Sequence, residues 1–274
     1  MPGSNARAME KARELPADVL VFDLEDAVAP AAKIAARGGI ASAVAAGGYG
    51  RRELIVRVNA LGTRWAEEDL AAVAAMPVDG VMLPKVESPE TIDRVAALLA
   101  LAGAPERALW CMLETPLGIL RADAIAASPG IAVIVMGTED LAKDLRAQAT
   151  RDRLPLITAL SRGLLAARAF GRDAIDGVYP DLADDEGFAA VCRQGRALGF
   201  DGKGLIHPKT IAVANAIFGP DAAELAQARR IIEASRAAEA AGAGVTLLDG
   251  KLVERLHLEA AQRLLGLARA IAER

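Results

Sequence analysis

The chain has 274 residues, 53% of them hydrophobic, long enough to bury one large core, and a single α/β barrel commonly takes about 250 residues. A net charge of -4 with 3% aromatic residues leaves neither the basic field nor the stacking surface that a nucleic-acid binder needs. No apolar run reaches the roughly 18 residues of a membrane span, and Met1-Pro2-Gly3-Ser4-Asn5 has no basic segment before an apolar stretch, so no membrane partner is expected and the expected location is cytoplasmic.

Residues 2–5 read as a loop and residues 6–15 as the first helix. Seven apolar runs then alternate with helical stretches, centred on residues 19–24, 54–58, 80–83, 109–113, 132–136, 175–179 and 204–206. Strands alternating with helices in one domain predict a parallel sheet with right-handed crossovers, and this many point to a (β/α)8 TIM barrel. One strand is short of the count, and it belongs first. Either it lies upstream or is truncated, or the barrel is open at one edge with unpaired backbone beside the last strand.

Within the barrel, Ser88-Pro89-Glu90 caps a helix that continues through residues 92–101. Gly47-Gly48-Tyr49-Gly50 precedes a strand instead of opening a helix, which makes it a turn and not a dinucleotide loop. From about residue 211 the pattern changes. Residues 222–241 predict a long Ala-rich helix, residues 246–253 a hairpin around Asp249-Gly250, and residues 257–273 a closing helix. The expected division is a barrel domain over 1–210 and a helix-hairpin-helix extension over 211–274, serving as a lid or an oligomer contact. Cys111 falls in a strand and Cys192 in a helix without paired spacing, as expected of reduced, packed thiols.

Chemistry is expected at the rim past the strand ends. Glu114 and Asp140 each follow an apolar strand there, which reads as a hard-metal or an acid/base site. In Val21-Phe22-Asp23-Leu24-Glu25-Asp26, alternation sends Asp23 and Glu25 to one side and Asp26 into the loop. Buried carboxylates demand donors or cations, so this group is either an ion network with nearby Arg or Lys or the support around a metal. Arg57 is a charge inside a strand near its rim end, suited to a substrate oxygen or to pairing with Asp23 or Glu25. Lys85 balances the carboxylates or meets an anionic ligand. His207, without a nucleophile beside it, reads more readily as structural than as a hydrolase base, and His257 as solvated or capping.

Taken together, Pro2-Gly3-Ser4-Asn5, Asp23-Leu24-Glu25-Asp26-Ala27-Val28, Arg57-Val58-Asn59, Leu83-Pro84-Lys85-Val86-Glu87, Glu114-Thr115-Pro116-Leu117-Gly118, Gly137-Thr138-Glu139-Asp140-Leu141 and Ile206-His207-Pro208 resemble, in order and nearly end to end, the citrate lyase beta-subunit-like branch of the HpcH/HpaI aldolase/citrate lyase family. The resemblance implies an eight-stranded barrel, Mg²⁺ held by Glu114 and Asp140, Arg57 at the reacting carbonyl, and a small-molecule CoA thioester substrate. It also implies a homotrimer or hexamer in which the C-terminal segment reaches a neighbouring site, and a strand ahead of Pro-Gly-Ser.

The activity so implied is cleavage of a malyl-, citramalyl- or citryl-CoA-type ester to acetyl-CoA and a 2-oxo acid by retro-Claisen chemistry. In that reading Glu25, Asp26 and Lys85 surround the metal ligands, and the backbone N–H groups of Gly137, Thr138 and Glu139 hold the oxo acid carboxylate. One departure stands out: where the family carries an acid/base Asp followed shortly by Pro, residues 250–256 offer Glu254 and no proline. Thioester hydrolysis at the same site, or a non-catalytic CoA-ester-binding subunit of a larger complex, are the alternatives. Lys33 and Arg37 are the candidate contacts to CoA.

Overall fold

The computed structural model describes residues 1–273, and the chain divides into two compact units, Met1–Ala214 and Asn215–Arg274. In the first unit seven strands follow one another in space as they do in sequence, each parallel to the next. They are β1 (Val19–Asp23), β2 (Glu53–Arg57), β3 (Gly80–Leu83), β4 (Ala108–Leu113), β5 (Ile131–Met136), β6 (Asp173–Asp176) and β7 (Gly202–Lys203). Helices lie between consecutive strands, as parallel pairing requires, giving a barrel-like α/β order. Among the described residues β7 does not pair with β1.

The place before β1 holds a stub. The Met1 ammonium donates to the Val21 carbonyl at 2.6 Å, the Asp23 N–H to the Met1 carbonyl at 2.8 Å and the Gly3 N–H to the Asp23 carbonyl at 2.8 Å. Pro2 thus forms one parallel bridge to Asp23.

Both faces of the sheet are covered, which is why the strands are nearly continuous apolar runs. One face gathers Ile55, Met82, Trp110, Val133 and Val135 into an inner core. Phe22, Val56, Val81, Cys111, Leu113 and Ile134, at alternate positions, are also fully or almost fully buried, as the period of two dictates. Tyr49, from the glycine-rich turn before β2, is buried edge-on to Phe22 at 5.5 Å, and Gly47, Gly48 and Gly50 all take positive φ around it. Both cysteines are free and buried, and burial raises both thiols, that of Cys192 to about 11, so neither is a nucleophile at neutral pH.

The last two strands of this sheet fall earlier than the sequence predicts. Asp173 and Asp176 bracket β6, and β7 is Gly202–Lys203 in place of residues 204–206, where Ile206 is 55% exposed. Their charged residues mask the apolar signal, and the charge is neutralised only by tertiary pairing. The Asp176 carboxylate, with no exposed side-chain surface, meets Arg153 Nη1 at 2.7 Å and Lys203 Nζ at 3.1 Å.

The second unit contains the helix Ala222–Ala240, a hairpin of β8 (Thr246–Leu248) and β9 (Lys251–Val253), and the helix Arg255–Ala272. Asp221 and Glu224 form a reciprocal cap at the first helix, and Arg230 ties that helix to the hairpin turn through Asp249 at 2.6 Å. Val245, Leu247, Leu252, Leu256, Leu267 and Ile271 are exposed. No helix among the described residues is long and apolar enough to cross a membrane.

Candidate active site

Strand alternation builds the site. Val21, Ile55, Met112 and Val135 belong to the inner core or pack against it, and two residues further along stand Asp23, Arg57, Glu114 and Gly137. The inward face therefore turns from apolar to charged at the C-terminal rim, where parallel α/β proteins place their chemistry.

Arg57 is held as a fork. Its Nε donates to Asp23 Oδ1 at 2.7 Å and its Nη2 to Asp23 Oδ2 at 2.6 Å, while Nη1 stands 2.9 Å from Glu25 Oε2. The last approach is a charge contact without hydrogen-bond alignment, so Glu25 Oε2 is buried with no hydrogen-bond donor. Burial works against the Asp23 charge, but Arg57 and the N–H groups of Glu25 and Ala27 outweigh it and hold the carboxyl below its ordinary value.

Lys85, just past β3, takes the left-handed conformation with φ 51°. That turn brings its N–H to Glu114 Oε1 at 2.7 Å. Its ammonium reaches Glu25 Oε1 at 2.6 Å, Asp140 Oδ2 at 3.1 Å and Asp26 Oδ2 at 3.2 Å. Burial disfavours the Lys85 charge, yet the facing carboxylates outweigh it and raise the group above an ordinary lysine. Glu114 goes the other way, pushed up to about 7 by burial and by the nearby Glu25 and Asp140 charges, against the pull of Lys85. A Cβ on Gly137 would lie 2.3 Å from Glu114 Oε2 and 2.4 Å from Glu114 Cβ, so only glycine leaves Glu114 its place.

Asp23, Glu25, Asp26, Glu114 and Asp140 thus face two cations, Arg57 and Lys85. The shortfall of positive charge and the hard oxygen donors suit a divalent ion of the magnesium class. Among the described residues no three His, Cys, Asp or Glu side chains form a complete metal nest. An ion held by two carboxylates would keep positions for water or substrate oxygens, as Mg²⁺ usually does.

The structure therefore brings together Arg57, Glu114, Asp140, Glu25, Asp26 and Lys85. The Arg57 pairing named as one alternative from the sequence is present. Thr138 opens the helix Thr138–Asp144, with Glu139 exposed beside it, so both N–H groups belong to an unsatisfied first turn. Gly137 corrects the expectation for its N–H, which donates to the Leu113 carbonyl at 3.1 Å. Glu254 lies in the second unit as N-cap of Arg255–Ala272, its N–H donating to His257 Nδ1 at 3.1 Å. His207 is a local cap, accepting from the Lys209 N–H at 3.1 Å.

Lys33 and Arg37, the candidate CoA contacts, are both engaged within the protein. Lys33 is buried, and its three donors go to the carbonyls of Leu24 and Glu25 and to Asn59 Oδ1, at 2.7–2.9 Å. Arg37 pairs with Asp69 and Glu68. Asp69 accepts in turn from Asn59 Nδ2 at 2.6 Å, so one buried network braces the loop carrying Glu25 against the end of β2. Sequence reading misses this brace because Glu67-Glu68-Asp69 looks like an ordinary acidic first helical turn.

The HpcH/HpaI aldolase/citrate lyase family model matches residues 1–208. The chain is 47% identical over 272 residues to a (3S)-malyl-CoA thioesterase of Cereibacter sphaeroides, covering 99% of this chain and 94% of that protein. It is 38% identical over 275 residues to the citrate lyase subunit beta of Escherichia coli, covering 98% and 91%. Among solved structures, CitE from Mycobacterium tuberculosis in complex with magnesium, acetoacetate and coenzyme A superposes with a TM-score of 0.80 at 33% identity, covering 98% of this chain and 96% of that one. The citrate lyase beta subunit from the same organism, with oxaloacetate and magnesium, gives 0.69 at 34% identity, covering 80% and 95%.

Proposed function

The chain belongs to the HpcH/HpaI aldolase/citrate lyase family, and from that premise we propose that it is a Mg²⁺-dependent carbon–carbon lyase, cleaving a 3-hydroxyacyl-CoA of the malyl-, citramalyl- or citryl-CoA type to acetyl-CoA and a 2-oxo acid. The observation that carries the reading is the pair Glu114 and Asp140 past adjacent strands, meeting at Lys85 beside a clamped Arg57. Glu114 and Asp140 would hold the metal, which when bound supplies a Lewis acid for the oxygens of the oxo acid.

The other roles follow from the side chains. Asp23 accepts from two of the five guanidinium N–H groups of Arg57 and Met112 Sδ from a third, leaving donors for the thioester oxygen as the Cα–Cβ bond breaks and that oxygen gains charge. The N–H groups of Thr138 and Glu139 bind the carboxylate of the departing oxo acid. Glu254 of a neighbouring copy in the oligomer delivers the proton that turns the released enolate carbon into the acetyl methyl group. The C-terminal unit serves as lid or contact in a homotrimer or hexamer, a role supported by the aliphatic side chains it leaves exposed. Glu114→Gln and Asp140→Asn should each abolish Mg²⁺-dependent acetyl-CoA release with folding intact. Unchanged turnover in both at limiting Mg²⁺ removes the metal assignment.

Hydrolysis of the same thioester is the second reading, favoured by the 47% identity to a protein named for that activity. The products separate the two. Malyl-CoA gives acetyl-CoA and glyoxylate by cleavage, but free CoA thiol and malate by hydrolysis, and turnover of either kind by the purified chain excludes a purely non-catalytic subunit.

A further inference from the structure

Lys85 occupies a costly position. A non-glycine residue in the left-handed region is strained, and the strain is tolerated where surroundings over-determine it. Here they do. The turn aims the backbone N–H at Glu114 and sets the ammonium within 3.2 Å of carboxylate oxygens of Glu25, Asp26 and Asp140, so one residue contacts both members of the metal-holding pair.

Two cations cannot share Asp140 without repulsion. We propose that Lys85 is an internal counter-ion that neutralises Asp140 and Glu25 in the metal-free protein and must give up Asp140 when the divalent ion binds, so that metal uptake is an exchange of one cation for another. The inference rests on the assignment of Glu114 and Asp140 as metal ligands and adds a residue that sets how tightly the ion is held. Without such a group, carboxylates crowded at a partly buried site would repel one another whenever the ion is absent. Glu25 anchors the ammonium at the shorter distance, 2.6 Å against 3.1 Å to Asp140, which gives the displaced lysine a place to stay.

The test is Mn²⁺ binding to the purified full chain, followed by electron paramagnetic resonance of the free ion, for the parent, Lys85→Asn, Lys85→Gly and Asp140→Asn. Asparagine and glycine both accept positive φ, so either variant preserves the turn that serves Glu114. A unit charge within about 4–6 Å shifts a proton equilibrium roughly 10- to 1,000-fold, and a divalent ion should feel at least the lower end. Both Lys85 variants should therefore bind Mn²⁺ about tenfold more tightly or better, while Asp140→Asn loses the site. Equal or weaker binding in a folded Lys85 variant, with binding still lost in Asp140→Asn, overturns the counter-ion role and leaves the metal assignment standing. Unchanged binding in Asp140→Asn overturns both.

Discussion

Replacing Gly137 by alanine tests the geometry of the site with a single methyl group. The new Cβ would lie 2.4 Å from Glu114 Cβ and 2.3 Å from Glu114 Oε2, whereas ordinary contact begins at 3.4 Å. Glu114 must therefore retreat by about 1 Å, and a displacement of that size at a reacting centre costs roughly a hundredfold in rate. The strain should cost only about 1–3 kcal/mol of stability, as overpacking usually does, so the protein should fold. Steady-state acetyl-CoA release at saturating Mg²⁺, with urea unfolding in parallel, reads both quantities. Gly38→Ala is the control, since nothing lies within 4 Å of its Cβ. A Gly137→Ala enzyme with the parent rate and the parent Mg²⁺ dependence would show that Glu114 need not sit where the structure puts it.

Four further outcomes are expected. Because burial pushes Glu114 up to about 7 from 4.5, the metal-free folded protein binds more protons than the unfolded chain between those pH values. Its stability should fall across that window by about 3 kcal/mol from this group, a slope absent in Glu114→Gln and flattened by Mg²⁺; identical urea midpoints against pH in parent and variant contradict it. Asp176→Ala strips Lys203, whose side chain has no exposed surface, of its carboxylate, and should destabilise by about 3–5 kcal/mol in urea; a loss within 1 kcal/mol would show the pairing to be dispensable. Arg57→Lys forfeits the two-point pairing with Asp23 and should lower kcat by roughly a hundredfold or more while Mn²⁺ affinity holds, and a near-parental kcat would remove its oxyanion role. Glu254→Ala should spare oxo acid binding but suppress solvent deuterium exchange into acetyl-CoA; exchange at the parent rate takes Glu254 out of the mechanism.

Local pattern carried much of this protein. The strands β1 to β5 are apolar runs whose period of two also places Asp23, Arg57 and Glu114 on the inner face, and Asp249-Gly250 marks its hairpin because a two-residue turn needs positive φ at both positions, 53° and 76° here. Rim carboxylates were legible because an isolated charge at the end of a buried strand has few stable uses. Only the tertiary structure decided which charges meet. Lys33, Arg37, Asp69, Asp176 and Lys203 look like solvated polar residues in one dimension, yet each is paired and wholly or largely withdrawn from water by elements distant in sequence. Likewise, a glycine at 137 is compulsory only because the neighbouring strand ends in Glu114. Hydrophobic periodicity is set by neighbours along the chain, whereas the energy of a buried charge depends on partners within a few ångströms in space, and sequence separation does not encode that distance.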